Sequence, residues 1–252
     1  MLFVEVRDLF KRRSDEISRY LNFLSVLTDS KANCLAKKDA GGTSTIVDTY
    51  EIDRELVKTL RANGYLLLYN LVEATMTNAV DAIHRSVSAE TVGFDELRGE
   101  LKAIVLKHFR RAISNNNAKV LESTHPIQRA IIELGYDKKE LFSGNVDAKL
   151  IRETATNYGF TIAAHDTAIT RDGARLLQIK TKRNELAHGL ISFEDCGHDI
   201  SQDELTAIAN ETIAYLDAVL QGVHDYIQNK SYIASQANPR ASIVQPSVPP
   251  TS

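Results

Sequence analysis

The segment that most constrains the fold is a long helical pattern over residues 53–88. Its apolar residues recur at the three- and four-residue spacing of an α-helix. The middle of the segment, residues 66–74, is apolar on nearly every side of that helix. A helix with this property is buried all round, so the pattern predicts the helix at the centre of a bundle.

Helical periodicity recurs along the rest of the chain, and no run of alternating strands is present. Further helices are predicted over residues 3–28, 94–114, 127–134, 147–158, 171–189 and 201–229. Loops are predicted at residues 29–49 and 191–198, with a weak extended segment at 45–50. The predicted fold is therefore all-α, an antiparallel helical bundle with short inserted helices.

Proline usage separates a tail from this bundle. Four of the five prolines lie beyond Ser235, among serine, alanine and glutamine residues. Such a segment has too little apolar surface to fold alone. We therefore expect one helical domain over residues 1–230 and a disordered tail over residues 231–252.

Composition and charge restrict the cellular setting. A formal net charge of -3 excludes a polycation that binds nucleic acid through its overall field, so RNA contacts must come from a local patch. Cys34 and Cys196 have no metal-site spacing and make no disulfide framework, as is typical of a reducing cytoplasm. No stretch approaches the roughly 20 apolar residues of a membrane span. We expect a soluble cytoplasmic protein without membrane contact.

The predicted helix 171–189 carries an unusual group of polar side chains at residues 183–188, Arg-Asn-Glu-Leu-Ala-His. Its core-facing stripe is formed by Leu176, Ile179, Leu186 and Leu190. Arg183 lies in the middle of that stripe, although a guanidinium keeps its charge in proteins. Asn184 and His188 are four residues apart and lie one above the other along the flank of the stripe.

This pattern has two explanations, a functional site or a buried ion pair. Asn70 and Glu73 stand three residues apart in the apolar middle of the central helix. A carboxylate in that setting needs a partner, and Arg183 is the natural candidate. An Arg183–Glu73 pair with His188 as a plain capping residue fits the residues as well as a site does.

If the group is a site, it suits cleavage of RNA by its own 2′-hydroxyl. That reaction needs a general acid or base that titrates near neutrality and a cation at the phosphorane oxygens, with no metal or other cofactor. His188 fits the first role and Arg183 the second. Asn184 would hold the imidazole or donate to phosphate. Lys180 and Lys182 would bind the RNA backbone as substrate-binding residues.

One arginine and one histidine per chain are few for this chemistry. A symmetric dimer that placed two copies of helix 171–189 side by side would double the set. We therefore expect a homodimer with a composite active site at the two-fold interface.

Residues 183–188 resemble the signature of the HEPN superfamily, an arginine and a polar residue followed at fixed spacing by a histidine. The signature lies here in the penultimate long helix, as it does in that superfamily. Residues 183–194 resemble the bacterial MAE-type branch of HEPN-like nucleases, and so do Leu-Tyr-Asn-Leu-Val-Glu at 68–73 and Ser-Gly-Asn-Val-Asp at 143–147. The resemblance covers most of residues 1–230.

The resemblance implies a metal-independent endoribonuclease, a homodimer in a toxin–antitoxin or phage-defence setting. Arg183 and His188 match the catalytic pair, and Asn184 matches the polar position. HEPN toxins inactivated by nucleotidyl transfer carry a tyrosine two residues after the histidine, where this chain has Leu190, so that control is not expected. An antitoxin or defence-system protein would be a further partner, but no residue identifies it.

Two other functions remain open on sequence alone. The first is a catalytically inactive HEPN module that binds RNA, a nucleotide or a partner protein and keeps Arg183 and His188 for structure. The second is a helical scaffold whose proline-rich tail recruits another protein. The intact motif favours the nuclease over both.

Overall fold

The bundle predicted from the helical periodicity is present in the computed structural model, which describes residues 2–29, 34–38, 46–90, 92–114, 131–132, 136–142 and 144–234. The regular elements are α1 (Leu2–Asp29), β1 (Cys34–Lys38), β2 (Ile46–Glu51), α2 (Arg54–Ala89), α3 (Gly99–Ser114), α4 (Ala148–Tyr158), α5 (Thr167–Thr170), α6 (Arg175–Ala187), α7 (Phe193–His198) and α8 (Gln202–Gln228). Short 3-10 turns lie at Phe94–Glu96, Lys138–Glu140 and Arg171–Gly173. The all-α fold class is confirmed.

Helix α2 is the centre of the bundle and packs against α1, α6, α7 and α8. Its buried residues cover nearly every direction around the helix axis, including the neighbouring positions Leu68, Tyr69, Leu71 and Val72. Asn70 is the exception, because its side chain is exposed. The central helix thus forms the floor on which α6, the helix of the candidate site, lies.

Capping residues explain why several predicted helix ends agree with the structure. The Asp147 carboxylate accepts a hydrogen bond from the Leu150 N–H at 2.9 Å and begins α4. Ser201 begins α8 by accepting from the Glu204 N–H at 3.1 Å. Gly159 ends α4 in the left-handed conformation, with φ 77°. These side chains satisfy backbone groups that the helix ends would otherwise leave without partners.

Two segments predicted as loops contain regular structure, so those predictions were wrong in part. Residues 34–38 pair antiparallel with residues 46–51 and form a hairpin, which includes most of the weak extended segment. Residues 193–198 form α7, whose first turn is capped by Ser192 accepting from the Asp195 N–H at 3.0 Å. A helix of six residues and strands of five and six are too short for periodicity to reveal them.

Two predicted helices are interrupted, and one prediction lies almost wholly outside the described residues. The pattern at 94–114 begins as a 3-10 turn before α3, and the pattern at 171–189 begins as a 3-10 turn before α6. In the second turn Asp172 has a positive φ of 50°, which a continuous right-handed helix excludes. Of the helix predicted at 127–134, only residues 131–132 are described, and they are helical.

The chain remains attached to the bundle after residue 230. Tyr232 is buried, and its carbonyl accepts from the Arg98 N–H at 2.9 Å. The Ala234 N–H donates to the Glu96 carbonyl at 2.8 Å. The folded part therefore reaches at least residue 234, beyond the predicted boundary. The predicted disorder of the rest of the tail falls on residues 235–252, outside the described residues.

The two cysteines lie on separate elements and are both free thiols. Cys34 is exposed on β1, and Cys196 is buried on α7. Burial raises the pKa of the Cys196 thiol, which keeps it protonated. Across the ranges that the structure describes, no helix combines the length and the apolar character needed to cross a membrane.

Candidate active site

Helix α6 ends directly after the candidate motif, at a turn that its sequence explains. His188 is the C-cap, and its N–H donates to the Asn184 carbonyl at 3.0 Å. Gly189 follows with φ 66°, and the Leu190 N–H reaches back to the Glu185 carbonyl at 2.8 Å. This is a Schellman arrangement, in which glycine takes the left-handed position. The turn places His188 at the very end of the helix.

The core-facing stripe of α6 is only partly as predicted. Leu176, Ile179 and Leu186 are buried, as expected. Leu190 is 76% exposed, so its assignment to the stripe was wrong. The stripe ends at Leu186 because the left-handed Gly189 turns the chain away from the helix direction before residue 190.

Arg183 lies half-buried on the core side of α6, where its guanidinium contacts an aromatic ring. Its guanidinium carbon lies 4.6 Å from the centroid of the Tyr69 ring. A guanidinium over an aromatic face is attracted by the ring quadrupole, and more strongly where water is excluded. The Arg183 Nη1 also donates to the Asn184 Oδ1 at 2.9 Å. The arginine is thus held by a ring below and an amide beside it.

Tyr69 is itself fixed by the segment that precedes α4. Its hydroxyl accepts a hydrogen bond from the Val146 N–H at 3.1 Å, and the side chain is fully buried. Burial raises the pKa of Tyr69, an effect that the Val146 bond and the Arg183 charge oppose and that Glu73 and Asp147 reinforce. The phenol therefore stays neutral and offers Arg183 an uncharged face.

Residues 144–147 run along the other side of Arg183. Gly144 has φ 76°, and a Cβ there would lie 3.6 Å from the Arg183 Nη1. Asn145 Oδ1 accepts from the Asn184 Nδ2 at 3.2 Å. The chain from Asn145 to Asn184 to Arg183 thus links this segment to the guanidinium by two successive hydrogen bonds.

Lys180 and Lys182, the predicted substrate-binding residues, each have a carboxylate partner. Lys180 pairs with Asp147, and Lys182 pairs with Glu185 at 3.0 Å. Burial acts to raise the pKa of Asp147, but the bonds from Lys180 and from the α4 backbone outweigh it and keep that pKa below its ordinary value. Two residues along a helix amount to roughly 200° of rotation, so the lysines do not share a face. Their role with RNA stays a prediction.

Neither predicted supporting residue pairs with Arg183. Glu73 is half-buried, and within the described parts of the chain it forms no ion pair with the arginine. Tyr69, one helical turn before Glu73, takes the position instead and holds the guanidinium by stacking. Asn70 is exposed beside that turn. The buried Arg183–Glu73 pair that would make the arginine purely structural is not formed.

His188 lies on a different side of the helix from Arg183. Five residues at about 100° each place the two side chains roughly 140° apart. His188 shares its face with Leu177, Thr181 and Asn184, and the first two of these are exposed, as His188 is. Its imidazole makes no hydrogen bond or ion pair with any residue that the structure describes. The predicted acid or base is therefore open to solvent, while the predicted cation faces inward.

Two residues of this arrangement had no role assigned from the sequence, Tyr69 and Asn145. Both lie in stretches that carry the family resemblance, at 68–73 and 143–147, and that was the available signal. Their contacts with α6 join residues far apart in the chain. Periodicity describes one helix at a time and does not predict such contacts.

The site contains no grouping that would hold a metal ion. Among the residues that the structure describes, no three or more histidine, cysteine or carboxylate side chains converge at a distance suited to a metal.

Comparison with known proteins gives one match. No curated protein and no solved structure matches the chain. The model of the MAE_28990-like HEPN family matches residues 5–232, which include α2, the 144–147 segment and all of α6. This span is most of the chain and agrees with the all-helical architecture. The protein therefore belongs to this HEPN family.

Proposed function

We propose that the protein is a metal-independent endoribonuclease that acts through Arg183 and His188. The observation that carries the proposal is the contrast between the surroundings of Arg183 and those of His188, at the end of α6. Arg183 is positioned by Tyr69 and Asn184 yet keeps donors free of other described partners, whereas His188 is exposed with no described partner. A structural ion pair with Glu73 would have occupied the guanidinium of Arg183, and that pair is not formed.

The reaction is an internal transfer within the RNA. The 2′-oxygen attacks the adjacent phosphorus, a bond from O2′ to phosphorus forms, and the bond from phosphorus to O5′ breaks. The 2′-hydroxyl loses a proton to a base, and the leaving O5′ receives one from an acid, so the products are a 2′,3′-cyclic phosphate and a 5′-hydroxyl. His188 carries the proton transfer, and Arg183 stabilises charge on the phosphorane oxygens. Asn184 keeps the guanidinium in place.

A second copy of the chain completes the site in this proposal. Within one chain the two catalytic side chains diverge by roughly 140°, so they do not converge on one phosphate. The exposed face that bears His188 also presents Leu177, which is 56% exposed, and Leu190, in the turn that follows the helix, is 76% exposed. Large apolar side chains at the surface are typical of a contact with another molecule. The proposal therefore requires a two-fold interface around the C-terminal end of α6 that places one protomer's His188 beside the partner copy's Arg183.

The biological setting of the proposal is a toxin or a phage-defence effector. It rests on the family and not on any single contact. An antitoxin or a defence-system protein that covers the His188 face would restrain such an enzyme by blocking either RNA or the second copy.

Incubation of the purified protein with mixed RNA in EDTA tests the activity. We expect fragments with cyclic phosphate ends, lost in Arg183→Ala and in His188→Ala. Both variants should fold, and His188→Ala should keep the wild-type melting temperature. His198→Ala, which removes another exposed histidine just beyond the site, is the matched control and should cleave normally. A well-folded protein that binds RNA without cutting it would instead support the inactive binding module.

Growth on expression is the corresponding test in cells. The wild-type chain should slow growth, and His188→Ala should relieve it at equal protein level. Equal growth inhibition by both chains would show that the toxicity does not depend on His188, and would contradict the proposed chemistry.

A further inference from the structure

A second cationic cavity lies at the opposite end of α6 from the motif. Its volume is about 400 Å³, and it is enclosed by α4, the turn before α6 and α8. The polar side chains that line it are Arg152, His165, Arg171, Asp172 and Tyr215. None of them belongs to the site described above.

The side chains of the cavity carry more positive than negative charge. Arg152 is exposed, and its Nη1 donates to the Asp172 carbonyl at 3.1 Å. Arg171 is 57% exposed and lies 3.4 Å from Glu211. His165 Nδ1 contacts the Ala163 carbonyl at 2.9 Å and its Nε2 contacts the Asp172 carboxylate at 3.0 Å. These contacts raise the pKa of His165. The cavity therefore holds two permanent cations, Arg152 and Arg171, beside the carboxylate of Asp172.

Tyr215 contributes a buried donor without an acceptor. The residue is 1% exposed, and no described residue accepts a hydrogen bond from its hydroxyl, although the Arg152 side chain lies close enough to donate to it. Burial raises the pKa of Tyr215, with Arg152 acting in the opposite direction, so the phenol keeps its proton. Burial of a hydroxyl without an acceptor costs free energy, and such a group is ordinarily satisfied by a bound water or a ligand.

The backbone around the cavity is strained and firmly held. Arg171 and Asp172 have φ of 48° and 50°, and Gly173 follows at 73°. Left-handed conformations are unfavourable for residues with a Cβ and persist where the surroundings impose them. A Cβ on Gly173 would lie 2.7 Å from the Tyr215 ring, so the turn and the ring are packed directly against each other. The backbone that forms this side of the cavity is thus fixed by its packing against Tyr215.

The cavity and the candidate motif lie along the same helix, α6, and both are next to the start of α4. Ala148 lines it and directly follows Asp147, which pairs with Lys180, one turn before Arg183. Ala174 also lines it, and nine residues of helix separate Ala174 from Arg183, or about 13 Å. This separation corresponds to a few nucleotides of one RNA strand.

We propose that this cavity binds a phosphate group, and that in the working enzyme the phosphate belongs to the RNA backbone a few nucleotides from the cleaved bond. Arg152 and Tyr215 donate to the phosphate oxygens, and Arg171 and His165 add charge. This inference rests on the proposed function for its substrate, whereas the phosphate site itself does not depend on cleavage.

Thermal unfolding with inorganic phosphate tests the site without any RNA. Ionic strength is kept constant with sodium chloride, and each variant is compared with wild type at every phosphate concentration, since phosphate stabilises folded proteins in general. Wild type should show an additional saturable rise in melting temperature that Arg152→Gln loses. Arg85→Gln, which removes another exposed arginine away from the cavity, should keep it. Equal shifts in all three proteins would overturn the proposal.

Tyr215→Phe separates binding from folding. Without phosphate, removal of a hydroxyl that lacks an acceptor should leave the melting temperature unchanged or raise it. With phosphate, the additional rise should shrink. The control is Tyr226→Phe, whose hydroxyl donates to the Tyr158 carbonyl at 2.7 Å and should be needed for stability only. A Tyr215→Phe protein with the full phosphate response would exclude the hydroxyl from the site.

RNA whose 2′-hydroxyls are methylated identifies the source of the phosphate, because it binds but lacks the attacking group. Arg152→Gln should bind it roughly tenfold more weakly and lower the slope of log K against log salt by about 0.7, the value for one single-strand phosphate contact. A phosphate response without this loss of RNA affinity would assign the site to a free phosphate compound and overturn the RNA-backbone part. A phosphate response and RNA binding without cleavage would retain the subsite and reject the nuclease.

Discussion

Two histidines of this chain have opposite surroundings. His84 is 5% exposed on α2, its Nε2 lies 2.8 Å from the Tyr158 hydroxyl, and its ring stacks on Tyr136 at 3.8 Å. Burial, followed by the neighbouring His108, lowers the pKa of His84 to about 3. His188 is exposed at the end of α6 and has no described hydrogen-bond partner. Of the two, only His188 is open to solvent.

Two arginines also differ, in how many of their N–H donors have partners. Arg98 donates to both carboxylate oxygens of Glu100 at 2.9 Å and to the Gly159 and Ser231 carbonyls at 2.8 and 3.3 Å. Arg183 donates, among described residues, only to Asn184 and otherwise stacks on a ring. A guanidinium with most of its donors occupied, such as that of Arg98, holds elements together. A fork held mainly by its face keeps donors for a phosphate.

The largest expected effect is a loss of RNA cleavage in a His188 variant, compared with a loss of stability in a His84 variant. His188→Ala should reduce RNA cleavage by about 10²–10⁴-fold, the usual contribution of a general acid or base, and leave the melting temperature unchanged. His84→Gln should lower the melting temperature and leave cleavage per folded molecule unchanged. Initial rates and thermal scans on both variants check this. A large loss of stability in His188→Ala would contradict the comparison.

The pH dependence of stability should reveal the buried histidine. Because the pKa of His84 is lowered in the folded state, the unfolded chain binds more protons below about pH 6.5. The stability that the neutral ring contributes is complete above that pH and is lost as the pH falls toward about 3. Urea unfolding between pH 6 and 4 should show a slope about 1.4 kcal/mol per pH unit steeper in wild type than in His84→Gln. Parallel curves would contradict the prediction.

For activity, the aromatic ring of Tyr69 should matter more than its hydroxyl. Tyr69→Leu removes the stacking face and should lower cleavage roughly tenfold, the scale of about 1–2 kcal/mol for a partly buried cation–π contact. Tyr69→Phe keeps the face and should retain most activity, while loss of the Val146 bond lowers the free energy of unfolding by about 1 kcal/mol. Equal activity losses in the two variants would show that the ring does not position the arginine.

The smallest expected effect concerns His165, whose surroundings lie between those of His84 and His188. The bonds to the Ala163 carbonyl and to Asp172 raise the pKa of His165. The stability from its charged form is therefore complete below about pH 6.5 and is lost as the pH rises through the raised pKa. His165→Gln should reduce the free energy of unfolding by less than about 1 kcal/mol at pH 6 and by less still at pH 9. A larger loss at pH 9 would reverse the sign of the prediction.

Strong periodicity made the long helices predictable from the sequence. The expected ranges 3–28 and 53–88 differ from α1 and α2 by one residue at each end. Short elements were missed because each contains too few residues to establish a period, as in α7 and the hairpin. Leu190 was placed on the buried stripe because the pattern assumed that the helix continued through Gly189, where the chain turns.

The candidate site was predictable in its residue types but not in its contacts. Arg183 stood out as a charge on an apolar stripe, and that position is observed. Glu73 was the expected partner because charge was the only criterion that the sequence offered. Tyr69, one turn earlier on the same helix, is the residue in contact. Helical spacing does not distinguish which of two residues on the same face reaches α6, since that depends on how the helices pack.

A mixed dimer tests the central claim most directly, that Arg183 of one copy acts with the histidine of another. Arg183→Ala and His188→Ala chains carrying different affinity tags are co-expressed, and the mixed dimer is purified through both tags. It contains one intact arginine and one intact histidine, on different chains. The account predicts that the mixed dimer cleaves RNA in EDTA although neither variant alone does. A mixed dimer as inactive as its parents, beside an active wild type, would contradict it.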